Sequence, residues 1–271
     1  MAKVLVVTSG KGGVGKTTST AALGAALALN GQKVVVVDFD VGLRNLDLVM
    51  GAERRVVYDL INVAQGNAKL SQALIRDKRL ENLALLPASQ TRDKDALSEK
   101  GLARIIRELR TLFDWVICDS PAGIERGAMM AMRHADAAII ITNPEVSSVR
   151  DSDRIIGLLD AKTEKAAKGE RVEKHLLITR YDQARAGRGD MLKTDDVLDI
   201  LSVPLLGIIP ESDQVLRASN LGQPVTLANP LSAPARAYSD AARRLMGDNL
   251  AINVPLERFN LLGRIFGGRA A

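Results

Sequence analysis

Short runs of consecutive apolar residues alternate along the chain with longer stretches whose apolar positions recur at helical spacing. The runs Val4–Val7, Val34–Val37, Leu83–Leu86, Trp115–Cys118, Ala137–Thr142, His175–Thr179 and Leu205–Ile209 are rich in β-branched side chains, the pattern of strands buried on both faces. Helices are predicted near Thr17–Asn30, Lys100–Leu112, Val149–Ala161, Asp195–Leu201 and Ala235–Met246, with Gly31 and Gly247 as C-caps. Strand alternating with helix predicts parallel βαβ units, hence an α/β fold with a single doubly wound, mostly parallel sheet and helices on both faces. The charged, Gly-containing segment Lys162–Glu173 reads as a surface connection, and no internal repeat interrupts the pattern. Ligands of such sheets collect at the carboxyl ends of the strands, so the candidate chemistry is sought there.

The first strand runs into Gly10-Lys11-Gly12-Gly13-Val14-Gly15-Lys16-Thr17-Thr18, which matches the phosphate-binding pattern G-x-x-x-x-G-K-[ST] in its required place between a strand and a helix. Its glycines let backbone N–H groups turn toward one anion, and the helix adds the positive end of its dipole. Lys16 can neutralise β- and γ-phosphate oxygens, and the Thr17 hydroxyl can ligate Mg²⁺. Two further strands end in acids at the same sheet edge: Asp38-Phe39-Asp40, and Asp119-Ser120-Pro121-Ala122-Gly123. A magnesium triphosphate site needs a carboxylate in the metal's outer shell and a group to orient the attacking water. Asp119, following four apolar residues, fits the Walker B role.

Composition narrows the picture. The 271 residues, 46% of them hydrophobic, can bury one large core. Lysine and arginine number 37 against 32 acids, so the net charge of +5 permits an anionic partner without demanding one. The one cysteine, Cys118, rules out a disulfide framework, a CxxC metal site and paired thiols for a bridging cluster. Neither a signal peptide nor an apolar run of about 18 residues is evident, so a cytosolic, non-spanning protein is expected.

Lys11, a second lysine inside the loop, is one more cation than a phosphate loop needs. With it the chain resembles the deviant Walker branch of P-loop ATPases, the ParA/MinD family. The resemblance runs through Ser9–Thr18, the segment Asp38–Asp47, Asp119–Glu125 and Thr142–Asp153, and reaches the chain end, where it points to the septum-site-determining branch. It implies a weak, Mg-dependent ATPase that dimerises with ATP, Lys11 reaching across to the nucleotide of the other subunit. It further implies that Asp40, in switch I, positions the hydrolytic water, that Asp38 supports the Mg²⁺ shell, and that Asp119–Gly123 is switch II. Such a protein recruits the division inhibitor MinC to the membrane, is released by MinE, and so places the septum. Asp151 and Asp153 would be partner contacts, though by their chemistry alone they are solvated helix charges. In relatives, adenine is held by segments like Thr179-Arg180-Tyr181, often with Asn at the Thr179 position, and like Pro210-Glu211-Ser212-Asp213. Arg180 could stack on the purine while Pro210 and Asp213 frame its edge, or all three could serve as strand-end turn and helix cap.

Residues 1–247 are read as the ATPase domain and 248–255 as a linker. In 256–271, Leu256, Phe259, Leu262 and Phe266 form one helical stripe widened by Leu261 and Ile265, opposite Glu257, Asn260 and Arg264. An amphipathic segment with excess arginine suits anionic lipid; a last core helix or a partner-docking helix remain alternatives. The protein is then expected to cycle between cytoplasm and the inner face of the cell membrane. A ParA-type partition ATPase binding nonspecific DNA is the competing reading of the same engine, although basic residues are scattered rather than massed and no amino-terminal DNA-reading module precedes the loop.

Overall fold

The computed structural model describes residues 2–90 and 96–253. Eight strands, β1 (Lys3–Thr8), β2 (Val34–Asp38), β3 (Ile75–Arg76), β4 (Leu83–Leu86), β5 (Trp115–Asp119), β6 (Ala137–Thr142), β7 (Glu173–Tyr181) and β8 (Leu205–Pro210), form one sheet in the order β3-β4-β2-β5-β1-β6-β7-β8. Every neighbouring pair is parallel except β3 with β4. All seven expected strands form. The eighth, β3, is a two-residue edge whose exposed Arg76 gives no apolar signal; it exists by pairing with β4.

The sheet is covered on both sides because its side chains alternate in direction. Val4, Val6, Val35 and Val37 face a layer that includes Leu102, Ile105, Val149 and Ile155. Leu5, Val7, Val34 and Val36 face Leu23 and Leu27 on one helix and Tyr238 and Ala242 on another. The five expected helices are Lys16–Leu29, Glu99–Leu112, Val146–Lys162, Thr194–Leu201 and Ala233–Leu245. Their true starts follow the caps: Ser98 Oγ accepts from Gly101 N–H, and Ser232 Oγ from Ala235 N–H with Pro234 in the first turn. Gly31 and Gly247 take the expected left-handed conformation, φ 82° and 105°, and end their helices. Short helices missed by periodicity fill the connections, among them Leu46–Val49, Arg126–Met132 and Asp213–Asn220. Glu164–Ala167, capped by Thr163, interrupts the expected surface connection 162–173.

Two features tie together segments that lie outside the sheet. Gly51 and Gly222, both at positive φ, meet back to back: a Cβ on Gly51 would lie 2.7 Å from Gly222 O. Arg79 bonds Met50 O at 3.1 Å and Gly222 O at 3.4 Å, while its own guanidinium is held by buried Asp77 at 2.6 Å. Farther round, the Arg244 fork bonds Leu206 O, Leu250 O and Ala251 O, so the expected linker lies against the body at its start. The amphipathic residues Leu256, Phe259, Leu261, Leu262, Ile265 and Phe266 fall outside the described residues. Among the described residues, no helix is long and apolar enough to cross a membrane.

Candidate nucleotide site

β1 lies between β5 and β6, and the loop that leaves it lies at the carboxyl edge of the sheet. Gly13 and Gly15 sit at φ 76° and 98°, where a side chain is strained, and Gly15 caps the helix Lys16–Leu29. Gly10 is needed for closeness instead: a Cβ there would come within 2.3 Å of Asp151 O in the helix Val146–Lys162. Lys16 is only 7% exposed and donates to Ser9 Oγ at 2.8 Å and to Lys11 O at 3.4 Å. Burial lowers its ammonium pKa from the usual 10.5, and the nearby Asp119 and Asp40 carboxylates pull it back up.

The loop forms one wall of a cleft of about 720 Å³, contributing Gly12, Gly13, Gly15, Lys16, Thr17 and Thr18. Phe39, Asp40, Leu43 and Leu48 close the side beyond β2, Ser120–Ala122 the side beyond β5, and Arg180, Ser219 and Asn220 a third side. Gly10, Lys11 and Val14 do not line it.

Asp38 and Asp119 are neighbours across the β2–β5 pairing, 0% and 1% exposed. Asp38 accepts Asp40 N–H at 2.8 Å and Leu46 N–H at 3.2 Å, which ties the segment after β2 to the strand end. Burial, and then the Asp119 charge, raises the Asp38 carboxyl well above the usual carboxylate range. Asp119 accepts the Thr20 hydroxyl at 3.0 Å; burial pushes it up to about 6, against the stabilising Thr17 hydroxyl, Lys16 and Thr20. Among the described residues no cluster of three or more His, Cys, Asp or Glu forms a cage for a metal. The donor set of a Thr17 hydroxyl with two buried carboxylates behind it fits Mg²⁺, which completes its shell with phosphate and water oxygens.

The expected residues are not all brought together. Lys11 turns away from its own cleft, its Nζ bonding Glu145 Oε2 at 3.0 Å and Ser147 Oγ at 3.1 Å, with 41% of its side chain exposed. Arg180 lines the cleft in a left-handed conformation, φ 54°. Pro210 and Asp213 do not: Pro210 borders a separate groove with Ile208, Arg236 and Arg244, and Asp213 opens a helix whose cap is Ser212. Pro210 is the last residue of β8, and Asp213 is the first residue of the helix Asp213–Asn220. Ser219 and Asn220 were missed, because the last residues of a short helix carry no motif.

Comparison with known proteins agrees with this geometry. Residues 5–225 match the CobQ/CobB/MinD/ParA nucleotide binding domain. The chain is 58% identical to the septum site-determining protein MinD of Neisseria meningitidis serogroup B, over 99% of this chain and 100% of that protein. It resembles MinD in the MinC:MinD cell division complex of Aquifex aeolicus, at 41% identity and TM-score 0.82, covering 95% of this chain and 99% of that one. It also resembles the Pyrococcus horikoshii MinD complexed with Mg-ADP, at 32% identity and TM-score 0.80, over 90% and 96% of the two chains. A phosphate loop with two lysines, acids at the ends of β2 and β5, and likeness along nearly the full length together assign the chain to the CobQ/CobB/MinD/ParA nucleotide-binding family, in its septum-site-determining MinD branch.

Proposed function

We propose that the chain is an ATP-dependent, dimerising peripheral-membrane ATPase that helps place the division septum, recruiting the division inhibitor MinC and being released by MinE-stimulated hydrolysis. The observation that carries this reading is the division of labour between the two loop lysines. Lys16 is buried beside the cleft's carboxylates, whereas Lys11 stands outside the cleft on a half-exposed surface. A cation so placed is of use to a nucleotide in another subunit.

In the mechanism, loop N–H groups and Lys16 hold the β- and γ-phosphates, and a partner's loop lysine completes the charge neutralisation. Mg²⁺, held by the Thr17 hydroxyl with Asp38 and Asp119 behind it, would supply further neutralisation of the phosphate oxygens. Asp40, on the cleft wall and directly tied to Asp38 through its backbone N–H, orients the attacking water. Since most catalysis of phosphoryl transfer is positioning, hydrolysis stays slow until both subunits are aligned. The Aquifex relative solved with MinC supports MinC as the partner recruited.

Membrane attachment belongs to the tail. Six apolar side chains at about 1.5–2 kcal/mol each give roughly 9–12 kcal/mol if fully buried, and ordering about a dozen residues costs about 1 kcal/mol or more apiece. One tail is therefore marginal, and two on one dimer gain effective concentration. The deciding experiment is ATP turnover with and without anionic liposomes, on the full chain and on a version ending at Val254. Because release depends on MinE, it is run with MinE present. Stimulation that needs the tail is expected; equal turnover of the two versions on liposomes overturns the membrane reading. Retardation of nonspecific duplex DNA with ATP, weakened by salt, would favour partition instead.

A further inference from the structure

Thr179 stands where base-holding relatives often carry Asn, yet its side chain does not face the cleft. It is 3% exposed, and its hydroxyl donates to Val14 O at 2.7 Å, tying the end of β7 to the middle of the phosphate loop. Asn143 Oδ1, a second acceptor, lies 2.9 Å from the same hydroxyl, farther than Val14 O. Asn143 is itself buried and receives its place from Ser148, whose Oγ accepts the Asn143 backbone N–H at 3.2 Å. Thr179 is thus backed by a second polar group rather than standing alone.

The consequence lies in the peptide unit. Val14 C=O and Gly15 N–H belong to one planar trans amide and point in opposite directions. Val14 is 1% exposed, and its carbonyl is drawn into the body toward β7. Gly15 lines the cleft, and its φ of 98° admits this orientation without strain only for glycine. Fixing the carbonyl inward therefore fixes the Gly15 N–H outward, toward the place where a phosphate oxygen would sit.

We propose that Thr179 is a positioning residue of the phosphate loop: its hydroxyl, by holding the Val14 carbonyl, orients the Gly15 N–H for phosphate. This rests on the nucleotide reading above, and the experiment separates the two. MgADP is titrated into full-length wild type, Thr179→Val and Thr179→Ser, with melting temperatures and the backbone ¹⁵N–¹H resonance of Gly15 followed alongside. Removing the donor should weaken MgADP by about tenfold or more, while Thr179→Ser stays within about twofold of wild type. At saturating MgADP the Gly15 resonance should shift as far in Thr179→Ser as in wild type, and less far in Thr179→Val. If Thr179→Val does not fold, Thr179→Cys, a weaker donor of similar size, should give an intermediate loss. Wild-type affinity in Thr179→Val or Thr179→Cys, or a lower melting temperature with unchanged affinity, overturns the proposal. A wild-type chain that does not bind MgADP overturns the nucleotide reading itself, and the loop anchor with it.

Discussion

Lys16 and Asp40 share a cleft, and the mechanism proposed above gives them different work that substitution should separate. Lys16→Ala removes the buried cation that, on this reading, holds the phosphates, so nucleotide binding, hydrolysis and membrane recruitment should all be lost. Asp40→Ala leaves the loop intact; fluorescent ATP should still bind, and phosphate release should fall by about 10²-fold or more. Normal turnover in either variant would overturn its assigned role. At this scale the sequence was readable where a residue's chemistry and its loop spacing coincide, as at Lys16, Thr17 and Asp119. It was unreadable where position depends on folding: Ser219 and Asn220 reach the cleft from a helix more than two hundred residues from Thr17.

Elements add constraints that no single residue shows. Gly24 sits inside the helix Lys16–Leu29, and a Cβ there would lie 2.8 Å from Val36 Cγ1 on β2. Ala in a helix interior gains about 1 kcal/mol over Gly, but overpacking costs about 1–3 kcal/mol, so Gly24→Ala should lower the melting temperature. Gly157, exposed in the helix Val146–Lys162, meets nothing within 4 Å, and Gly157→Ala should raise it. The Asp77–Arg79 brace gives a pH signature. Burial alone would raise the Asp77 carboxyl, but bonds from the Arg79 side chain and backbone outweigh it and hold the carboxyl below its usual 3.8. Its stabilisation is accordingly present above pH 3.8 and disappears as acid protonates the folded carboxylate. Asp77→Asn should cost about 1–2 kcal/mol in urea unfolding at pH 7, with the gap to wild type closing below that range. Helix and strand identities were open to reading because long apolar periods leave little choice. Helix starts were not, since Ser98 and Ser232 act through single hydrogen bonds, and β3 exists only because β4 is beside it.

For the whole molecule the test is whether nucleotide state governs attachment. More protein should sediment with anionic liposomes in ATP than in ADP if the proposed pairing of tails holds; equal pelleting would refute the coupling. The doubly wound sheet could be anticipated from alternation alone, since each parallel strand needs a crossover and each crossover covers a face. The junction of Gly51 with Gly222 could not, because no local pattern announces that contact. That junction sets how the mouth of the cleft behaves. Leu48 and Val49 on one rim and Ser219 and Asn220 on the other are riveted just behind their tips. Widening the mouth there would have to part the Gly51–Gly222 contact and break the Arg79 bonds to Met50 O and Gly222 O.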